Sequence, residues 1–522
     1  MRWAALSRMD GSIRRDVDRL YFTAGPSNRE DIRTMRWLLR NLKRAIALVV
    51  VILLTLLAAR IYETQRGLPL ALWHTHVPHE MTAKQMEKAI WPDYTRTENA
   101  IFDDIRDEVT AKLPAEQKVA SNRYFADSPV NPESFKQDWN RSVILQPEGT
   151  PVGAVVLLHG LTDSPYSLRH IAERYRDRGF VAVLIRLPGH GTVPAGLTAV
   201  DWEDWMAATR LAVREAKRLS GAEAPLHLVG YSNGGALALM YALDAVEDPS
   251  LARPDRLVLL SPMVGVTRFA RFAGLAGLPA ILPAFAKTAW LGRPPEFNPF
   301  KYNSFPVNAA RQSHLLSSTL QERIARLARE GKLGGLAPVL TFQSVVDFTV
   351  STQAIIAALY DQLPANGSEL VLFDINRNAK LGPLLNASTD TVLSRVLPPA
   401  ERRYRTTVIA NASADESEVV ARTVEAGQTA EQTTRLGLDY PHDVYSLSHV
   451  ALPFPVDDGL YGTEPDPADD FGINLGAIAS RGERGTLLVG LDTLMRISSN
   501  PFYPYLIERV EALMQPAATP SP

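Results

Sequence analysis

Short apolar runs alternate with longer amphipathic stretches between residues 153 and 373. The apolar runs, which we interpret as strands, cover residues 154–158, 180–185, 226–229, 257–260, 338–343 and 369–373. The amphipathic stretches, which are typical of helices, include residues 167–178 and 202–219. Uninterrupted apolar runs are typical of strands buried on both faces, and their alternation with helices is typical of parallel sheets. The pattern predicts an α/β fold with a mainly parallel sheet and helices on both faces.

Two segments interrupt this alternation. Residues 263–335 are rich in apolar, small and proline residues, which favours a cap or lid over an apolar pocket. An insertion with a small core of its own fits that composition equally well. Residues 376–435 form a second predicted insertion, with a strand expected at 405–409 and an acidic stretch of low hydrophobicity at 412–418.

The N-terminal region contains an apolar run, residues 45–59, that is broken only by Thr55. As a helix this run spans about 22 Å, less than the roughly 30 Å of a bilayer's hydrocarbon core. The flanking Lys43, Arg44 and Arg60 can extend their charged ends to the lipid headgroups. We therefore predict a single-pass transmembrane anchor at residues 45–62. A cleaved signal peptide is disfavoured by the long region before the run, and a buried core helix is the other alternative.

Charge predicts the orientation of this anchor. Six basic residues lie between positions 29 and 44, whereas Arg60 and Arg66 are the basic residues of positions 45–66. The positive-inside rule then places residues 1–44 in the cytoplasm and the remainder outside it, in the periplasm of a Gram-negative cell. A charged N-terminal extension is predicted at residues 63–150, and a disordered tail at residues 515–522.

Composition excludes several classes of function. The 522 residues carry 55 basic and 57 acidic side chains, so the net charge of −2 gives no indication of a nucleic-acid partner. The absence of cysteine excludes disulfides, thiol nucleophiles and thiolate metal sites. His74, His76 and His79 form a cluster that could bind a metal, but no carboxylate stands at a recognisable ligand spacing. We therefore predict a packing or solvated role for them, and no metal site.

The strongest local signal is the pentapeptide Gly-Tyr-Ser-Asn-Gly at residues 230–234. It follows the apolar run at 226–229 and precedes the small, apolar residues 235–240. A G-x-S-x-G turn between a strand and a helix is a nucleophile elbow, in which the serine takes a strained backbone conformation and its neighbours must be small. The pattern predicts Ser232 as a nucleophile. An ordinary glycine-rich turn is the alternative.

A serine nucleophile needs a histidine to accept its proton and an acid to orient that histidine. With a nucleophile elbow the chain order is serine, acid, histidine. Asp347 ends an apolar strand and is the predicted acid, with Asp374 as the second candidate. Two histidines follow Asp347, and His449, in a loop after a short apolar stretch, is the predicted base. His442 is the alternative.

The oxyanion of an acyl-transfer intermediate needs two backbone N–H donors. The residue after the nucleophile, Asn233, supplies one of them. The second is predicted at Leu161, in the turn His-Gly-Leu that follows the strand at 154–158.

Three motifs together resemble the α/β-hydrolase superfamily: residues 159–165, 187–192 and 230–235. The most similar branch contains monoacylglycerol lipases, bacterial carboxylesterases and serine aminopeptidase-like hydrolases. The resemblance implies an eight-stranded, mostly parallel sheet, a cap insertion, no cofactor, and a hydrolase domain over residues 151–514. It also implies Ser232 as nucleophile, Asp347 as acid and His449 as base. The oxyanion donors that it implies are Leu161 and Asn233. The chain departs from this family in two respects. Asp347 and His449 stand 102 residues apart, much farther than is usual, and the N-terminal anchor and residues 65–146 lie outside the family core.

These observations predict a membrane-anchored serine hydrolase that cleaves carboxylic esters. The anchor and the apolar insertion favour lipid-like substrates such as monoacylglycerols or lysophospholipids. Amide cleavage or acyl transfer would use the same residues, and a non-catalytic binding protein of the same fold is a further alternative. The sequence gives no indication of the oligomeric state.

Overall fold

The computed structural model forms two compact units, one made of residues 1–68 and 279–288 and the other of residues 69–278 and 289–522. The structure describes residues 26–67, 69–265, 280, 283–378, 392–398, 400–476, 495–496 and 498–515. The predicted segments lie partly outside these residues: 1–25 of the cytoplasmic segment, 68 of the extension, 266–279 and 281–282 of the lid, 379–391 and 399 of the second insertion, 477–494 and 497 of the hydrolase domain, and 516–522 of the tail.

The smaller unit contains one long helix, α1 (Pro26–Arg66). Its stretch Trp37–Arg66 is long and apolar enough to cross a membrane, and it includes the predicted anchor. Apolar side chains such as Leu48 are more than half exposed along it. At its C-terminal end the Lys287 ammonium donates to the carbonyl of Gly67 at 2.8 Å. A cation is stabilised there by the partial negative charge of the helix end.

The larger unit is built on a ten-stranded sheet. Its strands are β1 (Val143–Leu145), β2 (Gly153–Leu158), β3 (Phe180–Ile185), β4 (Leu226–Tyr231), β5 (Arg256–Leu260), β8 (Val339–Ser344), β9 (Glu369–Phe373), β10 (Arg405–Asn411), β11 (Glu418–Val424) and β12 (Glu431–Asp439), and β6 (Trp290–Gly292) and β7 (Phe305–Pro306) form a separate hairpin. The order across the sheet is β1-β3-β2-β4-β5-β8-β9-β10-β11-β12. Strands from β3 to β10 are parallel to their neighbours, whereas β1, β11 and β12 pair antiparallel.

The predicted α/β-hydrolase architecture is confirmed, and the sheet is wider than the eight strands expected. The additional width comes from β10, β11 and β12, all of which start inside the segment predicted as a second insertion. Their apolar positions continue the sheet beyond β9, so this part of the chain adds strands at the edge.

Helices cover both faces of the sheet. They are α2 (Leu72–Thr75), α3 (Ala83–Met86), α4 (Trp91–Ile105), α5 (Arg169–Asp177), α6 (Trp202–Ser220), α7 (Asn233–Glu247), α8 (Val307–Arg329), α9 (Thr352–Ala358), α10 (Val392–Val396) and α11 (Tyr503–Ala512). Because side chains alternate along a strand, Val156 of β2 packs in the core of α6, α7 and α8, whereas Val155 packs in the core of α5 and α11. Both faces are therefore apolar, which explains the uninterrupted apolar runs.

The predicted lid and extension both contribute to packing. Helix α8, from the segment predicted as a lid, buries Leu316 and Leu320 in the main core. In the extension, α4 and the π-helical turn after it bury Ile105 and Val109 against Val193, in the loop after β3.

Candidate active site

Ser232 lies at the sharp turn between β4 and α7. Its backbone has φ 53° and ψ −113°, a strained conformation for a residue other than glycine. The turn is close-packed, since a Cβ on Gly230 would lie 2.4 Å from the carbonyl oxygen of Gly234. A Cβ on Gly234 would lie 1.9 Å from the carbonyl oxygen of Leu158. Glycines on both sides of Ser232 are therefore a steric requirement of this elbow.

The predicted acid and base are in contact. The Nδ1 atom of His449 lies 2.8 Å from Oδ2 of Asp347, and the Asp347 carboxylate has no exposed surface. The other carboxylate oxygen accepts the backbone N–H groups of Thr349 (2.7 Å) and Val350 (2.9 Å). Burial raises the pKa of Asp347, but His449 and these hydrogen bonds outweigh it and hold the pKa below its usual value. The aspartate is therefore suited to orient His449 as an anion.

Tyr231 connects the elbow to the base. Its hydroxyl donates to the carbonyl of His449 at 3.2 Å, and the two rings lie 5.3 Å apart. Ser232, the next residue, is 8% exposed, and its hydroxyl has no hydrogen-bond partner within the described part of the chain. The structure thus brings Ser232, His449 and Asp347 to the carboxyl ends of the parallel strands β4 and β8.

The alternative candidates lie elsewhere. His442 is exposed, and Asp374 forms an ion pair with Arg377 at 3.2 Å. Sequence reasoning missed two supporting residues, Tyr231 and Gln343. The Gln343 amide donates to Oδ2 of Asp347 at 3.1 Å. A long polar side chain inside the buried strand β8 was the signal that could have revealed Gln343.

The two predicted oxyanion donors are available. Among the residues that the structure describes, the N–H groups of Leu161 and Asn233 have no hydrogen-bond acceptor. Asn233 is the first residue of α7, where an N–H has no partner within the helix. Gly160 lets the loop approach the elbow, because a Cβ there would lie 3.2 Å from the Tyr231 ring. These two N–H groups can stabilise negative charge on a substrate oxygen.

Beyond His449 the chain is held by a buried carboxylate, Asp458. It accepts hydrogen bonds from the Tyr166 hydroxyl, the Arg169 guanidinium and the His170 imidazole, each at 2.9 Å. It also accepts the backbone N–H of Tyr461 at 2.7 Å. These hydrogen bonds join the loop after His449 to α5, which lies almost three hundred residues earlier in the sequence. Sequence reasoning gave no signal for this contact.

No metal centre is formed in the described ranges, where no group of three or more histidine and carboxylate side chains converges. The histidines near the start of the extension have separate partners. His74 Nε2 lies 3.0 Å from the Ser304 hydroxyl, and His76 Nε2 lies 2.6 Å from Oδ2 of Asp104.

Comparisons with known proteins find similar sequences for part of the chain. The model of a family described as serine aminopeptidase, S33, matches residues 149–375. A thermostable monoacylglycerol lipase from Bacillus sp. (strain H-257) is 27% identical over 206 residues, which cover 39% of this chain and 73% of that protein.

Solved structures give the same kind of match. One matching structure comes from a description of two metagenome-derived lipolytic enzymes, LipS and LipT. It has a TM-score of 0.36 and 22% identity, and the match covers 45% of this chain and 88% of the matching chain. A soluble variant of monoglyceride lipase from Saccharomyces cerevisiae has a TM-score of 0.34 and 15% identity over 44% of this chain and 81% of its own.

Proposed function

The chain belongs to the α/β-hydrolase superfamily of serine hydrolases, and we propose that it cleaves lipid-like carboxylic esters through Ser232, His449 and Asp347. The observation that carries the proposal is the hydrogen bond between His449 and Asp347, beside the strained backbone of Ser232. A nucleophile, a base within reach of it and an acid that orients the base are the components of a serine hydrolase triad.

In the acylation step, His449 accepts the proton of the Ser232 hydroxyl as the oxygen attacks the ester carbonyl carbon. Asp347 accepts the Nδ1–H of His449, so that Nε2 is the nitrogen that takes the proton. The negative charge that develops on the carbonyl oxygen is stabilised by the N–H groups of Leu161 and Asn233. His449 then donates its proton to the leaving alcohol, and the acyl group remains on Ser232.

In the deacylation step, a water molecule replaces the alcohol. His449 accepts a proton from this water as its oxygen attacks the acyl carbon. The same two N–H groups stabilise the second oxyanion. Collapse of this intermediate returns the proton to Ser232 and releases the carboxylic acid.

Two observations support a lipid-like substrate. The Bacillus relative, 27% identical to this chain, is a monoacylglycerol lipase. The helix α1 is long and apolar enough to anchor the enzyme in a membrane, where such esters are concentrated. Monoacylglycerols and lysophospholipids combine a single acyl chain with a polar group, so they are the substrates that we favour.

The membrane arrangement is part of the proposal. The excess of basic residues before the apolar run supports a single-pass anchor with a cytoplasmic N-terminus and an extracytoplasmic catalytic domain. A periplasmic reporter fused after Arg66 in a Gram-negative host is expected to be active. An inactive reporter would overturn this orientation.

Labelling with a fluorophosphonate probe tests the nucleophile. The wild type should be labelled and Ser232→Ala should not. Ser250→Ala, which replaces an exposed serine, is the control and should still be labelled. Persistent labelling of Ser232→Ala would contradict the assignment. An unlabelled wild type would favour a non-catalytic binding protein.

A series of p-nitrophenyl esters with increasing chain length tests the substrate class. We expect kcat/KM to rise from acetyl to longer acyl groups, and 1-monoacylglycerols to be hydrolysed. A series with no preference beyond acetyl would count against lipid-like esters.

Amide cleavage is the second candidate, because the matching family is described as serine aminopeptidase. Aminoacyl p-nitroanilides measured alongside the esters distinguish the two. A higher kcat/KM on the anilides would make a peptidase the better description.

A further inference from the structure

Arg186 is a buried cation directly after β3, and its carboxylate partners come from the N-terminal extension. Its Nη1 and Nη2 atoms lie 2.7 and 2.9 Å from the two carboxylate oxygens of Glu80. Its Nε atom lies 3.0 Å from Oε1 of Glu98. The side chains of Arg186, Glu80 and Glu98 are 1%, 8% and 3% exposed. Both glutamates precede residues 149–375, the segment that the hydrolase family matches.

The extension also holds the backbone around Arg186. The Tyr94 hydroxyl donates to the carbonyl of Arg186 at 2.5 Å, and the Ser142 hydroxyl accepts its N–H at 2.9 Å. Glu80 Oε1 accepts the N–H of Gly189 at 2.7 Å. The turn that follows β3 is therefore fixed by hydrogen bonds from residues 80–142.

Hydrogen bonds also join this turn to residues 159–161, which we call the oxyanion loop. The N–H of Leu187 donates to Nε2 of His159 at 3.0 Å, and the opposite ring nitrogen lies 2.9 Å from the carbonyl oxygen of Gly160. The His159 ring must be neutral for Nε2 to accept this hydrogen bond, and burial lowers the pKa of His159 accordingly. Leu161, whose N–H is unpaired, follows directly. Hydrogen bonds and the peptide link between Arg186 and Leu187 thus connect Glu80 and Glu98 to the oxyanion loop.

We propose that Glu80 and Glu98 of the N-terminal extension are positioning residues for the Leu161 oxyanion donor, acting through Arg186, Leu187 and His159. The inference rests on the proposed function, because it concerns the same oxyanion. A buried ion pair adds little net stability but restricts the geometry of the groups around it. An oxyanion donor depends on such restriction, since misplacement by about 1 Å can cost on the order of 100-fold in rate.

The first test changes the charge but not the size of one carboxylate in the full-length protein. Glu80→Gln should lower kcat for p-nitrophenyl butyrate by about 10-fold or more, with KM within threefold, because an oxyanion donor acts mainly in the transition state. The affinity for a trifluoromethyl ketone, which forms a tetrahedral adduct, should fall by a similar factor. Glu133→Gln is the matched control, because Glu133 lies in the same extension and forms an exposed pair with Arg106. It should leave both values unchanged.

A second pair of variants interrupts the path without removing a buried charge. His159→Gln keeps an acceptor near the position of Nε2 and should retain most of kcat. His159→Leu removes the acceptor and should reproduce the loss seen in Glu80→Gln. This pair decides the question if Glu80→Gln fails to fold.

The outcomes separate the two proposals. An active wild type whose folded Glu80→Gln and His159→Leu variants keep kcat and inhibitor affinity within twofold would overturn the positioning role alone. Equal losses in His159→Gln and His159→Leu would also contradict it. A wild type that neither hydrolyses esters nor reacts with a fluorophosphonate would overturn the proposed function, and this inference with it.

Discussion

At the scale of single residues, the proposed acid and the proposed base are positioned by different means. Asp347 stands at the end of β8 and is fixed by the N–H groups of the next turn and by Gln343. His449 lies in a loop and is fixed by Asp347 and by the hydroxyl of Tyr231. The strand-end position of Asp347 is a local feature that a sequence pattern can predict. The contact of Tyr231 with His449 is not local.

Replacing each candidate base tests this arrangement. His449→Ala should lower kcat by roughly 10⁴-fold or more, because Ser232 loses its proton acceptor. His442→Ala should stay within twofold of the wild type, because His442 is exposed. Steady-state kinetics on p-nitrophenyl butyrate measure both. A larger loss of kcat in His442→Ala than in His449→Ala would identify His442 as the base.

At the scale of elements, the elbow and the loop after His449 depend on close contacts of different kinds. The elbow needs the absence of a side chain at Gly230 and Gly234, so that β4 and α7 approach the end of β2. The loop needs a charge at Asp458, which joins it to α5 through Arg169. The sequence pattern predicted the elbow because the turn is encoded in five consecutive residues. It did not predict the loop contact, because its partners are almost three hundred residues apart.

The elbow prediction concerns Gly234→Ala. The added methyl would overlap the carbonyl oxygen of Leu158, and we expect the free energy of unfolding to fall by about 1–3 kcal/mol or more. Gly334→Ala is the control, because nothing lies within 4 Å of a Cβ there. Urea unfolding of both variants measures the difference. Equal stability would show that the elbow can relax around a side chain.

The loop prediction concerns Asp458→Asn, which leaves the buried Arg169 beside a neutral group. We expect a loss of about 3–5 kcal/mol at pH 7, against little change for Asp466→Asn, an exposed position in the same loop. Both are measured by denaturant unfolding.

This loss should also depend on pH. Burial raises the pKa of Asp458, but the hydrogen bond from His170 and the charge of Arg169 outweigh it, so the pKa lies below its usual value. The stabilisation is then fully present above the unfolded-state pKa of about 3.9 and is lost as the pH falls through the lower folded-state pKa. The difference between wild type and Asp458→Asn should therefore shrink on acidification. A difference that grew instead would contradict the assignment.

At the scale of the whole molecule, the catalytic unit is larger than the segment that the family matches. Residues 149–375 contain Ser232 and Asp347, but His449 and the partners of Arg186 lie outside them. The chain therefore adds strands on one side of the matched segment and the carboxylate partners of Arg186 on the other.

Truncation tests this view. Removing residues 1–66 leaves the partners of Arg186 in place, and we expect a folded protein that hydrolyses p-nitrophenyl butyrate. Removing residues 1–142 leaves Arg186 buried without Glu80 and Glu98, which costs about 3–5 kcal/mol for such a broken pair and should prevent folding. Circular dichroism and thermal unfolding measure the outcome. A stable, active product of the longer deletion would show that the extension is dispensable.

The alternation of strands and helices, the elbow at Ser232 and the apolar helix at the N-terminus were all predictable from the amino-acid sequence. These features depend on neighbouring residues: apolar periodicity, turn glycines and a run of apolar side chains. The contact of His449 with Asp347 across 102 residues, and the ion pairs of Arg186 with Glu80 and Glu98, became known from the folded structure. Such pairs depend on the path of the chain through a ten-stranded sheet, which no local pattern encodes.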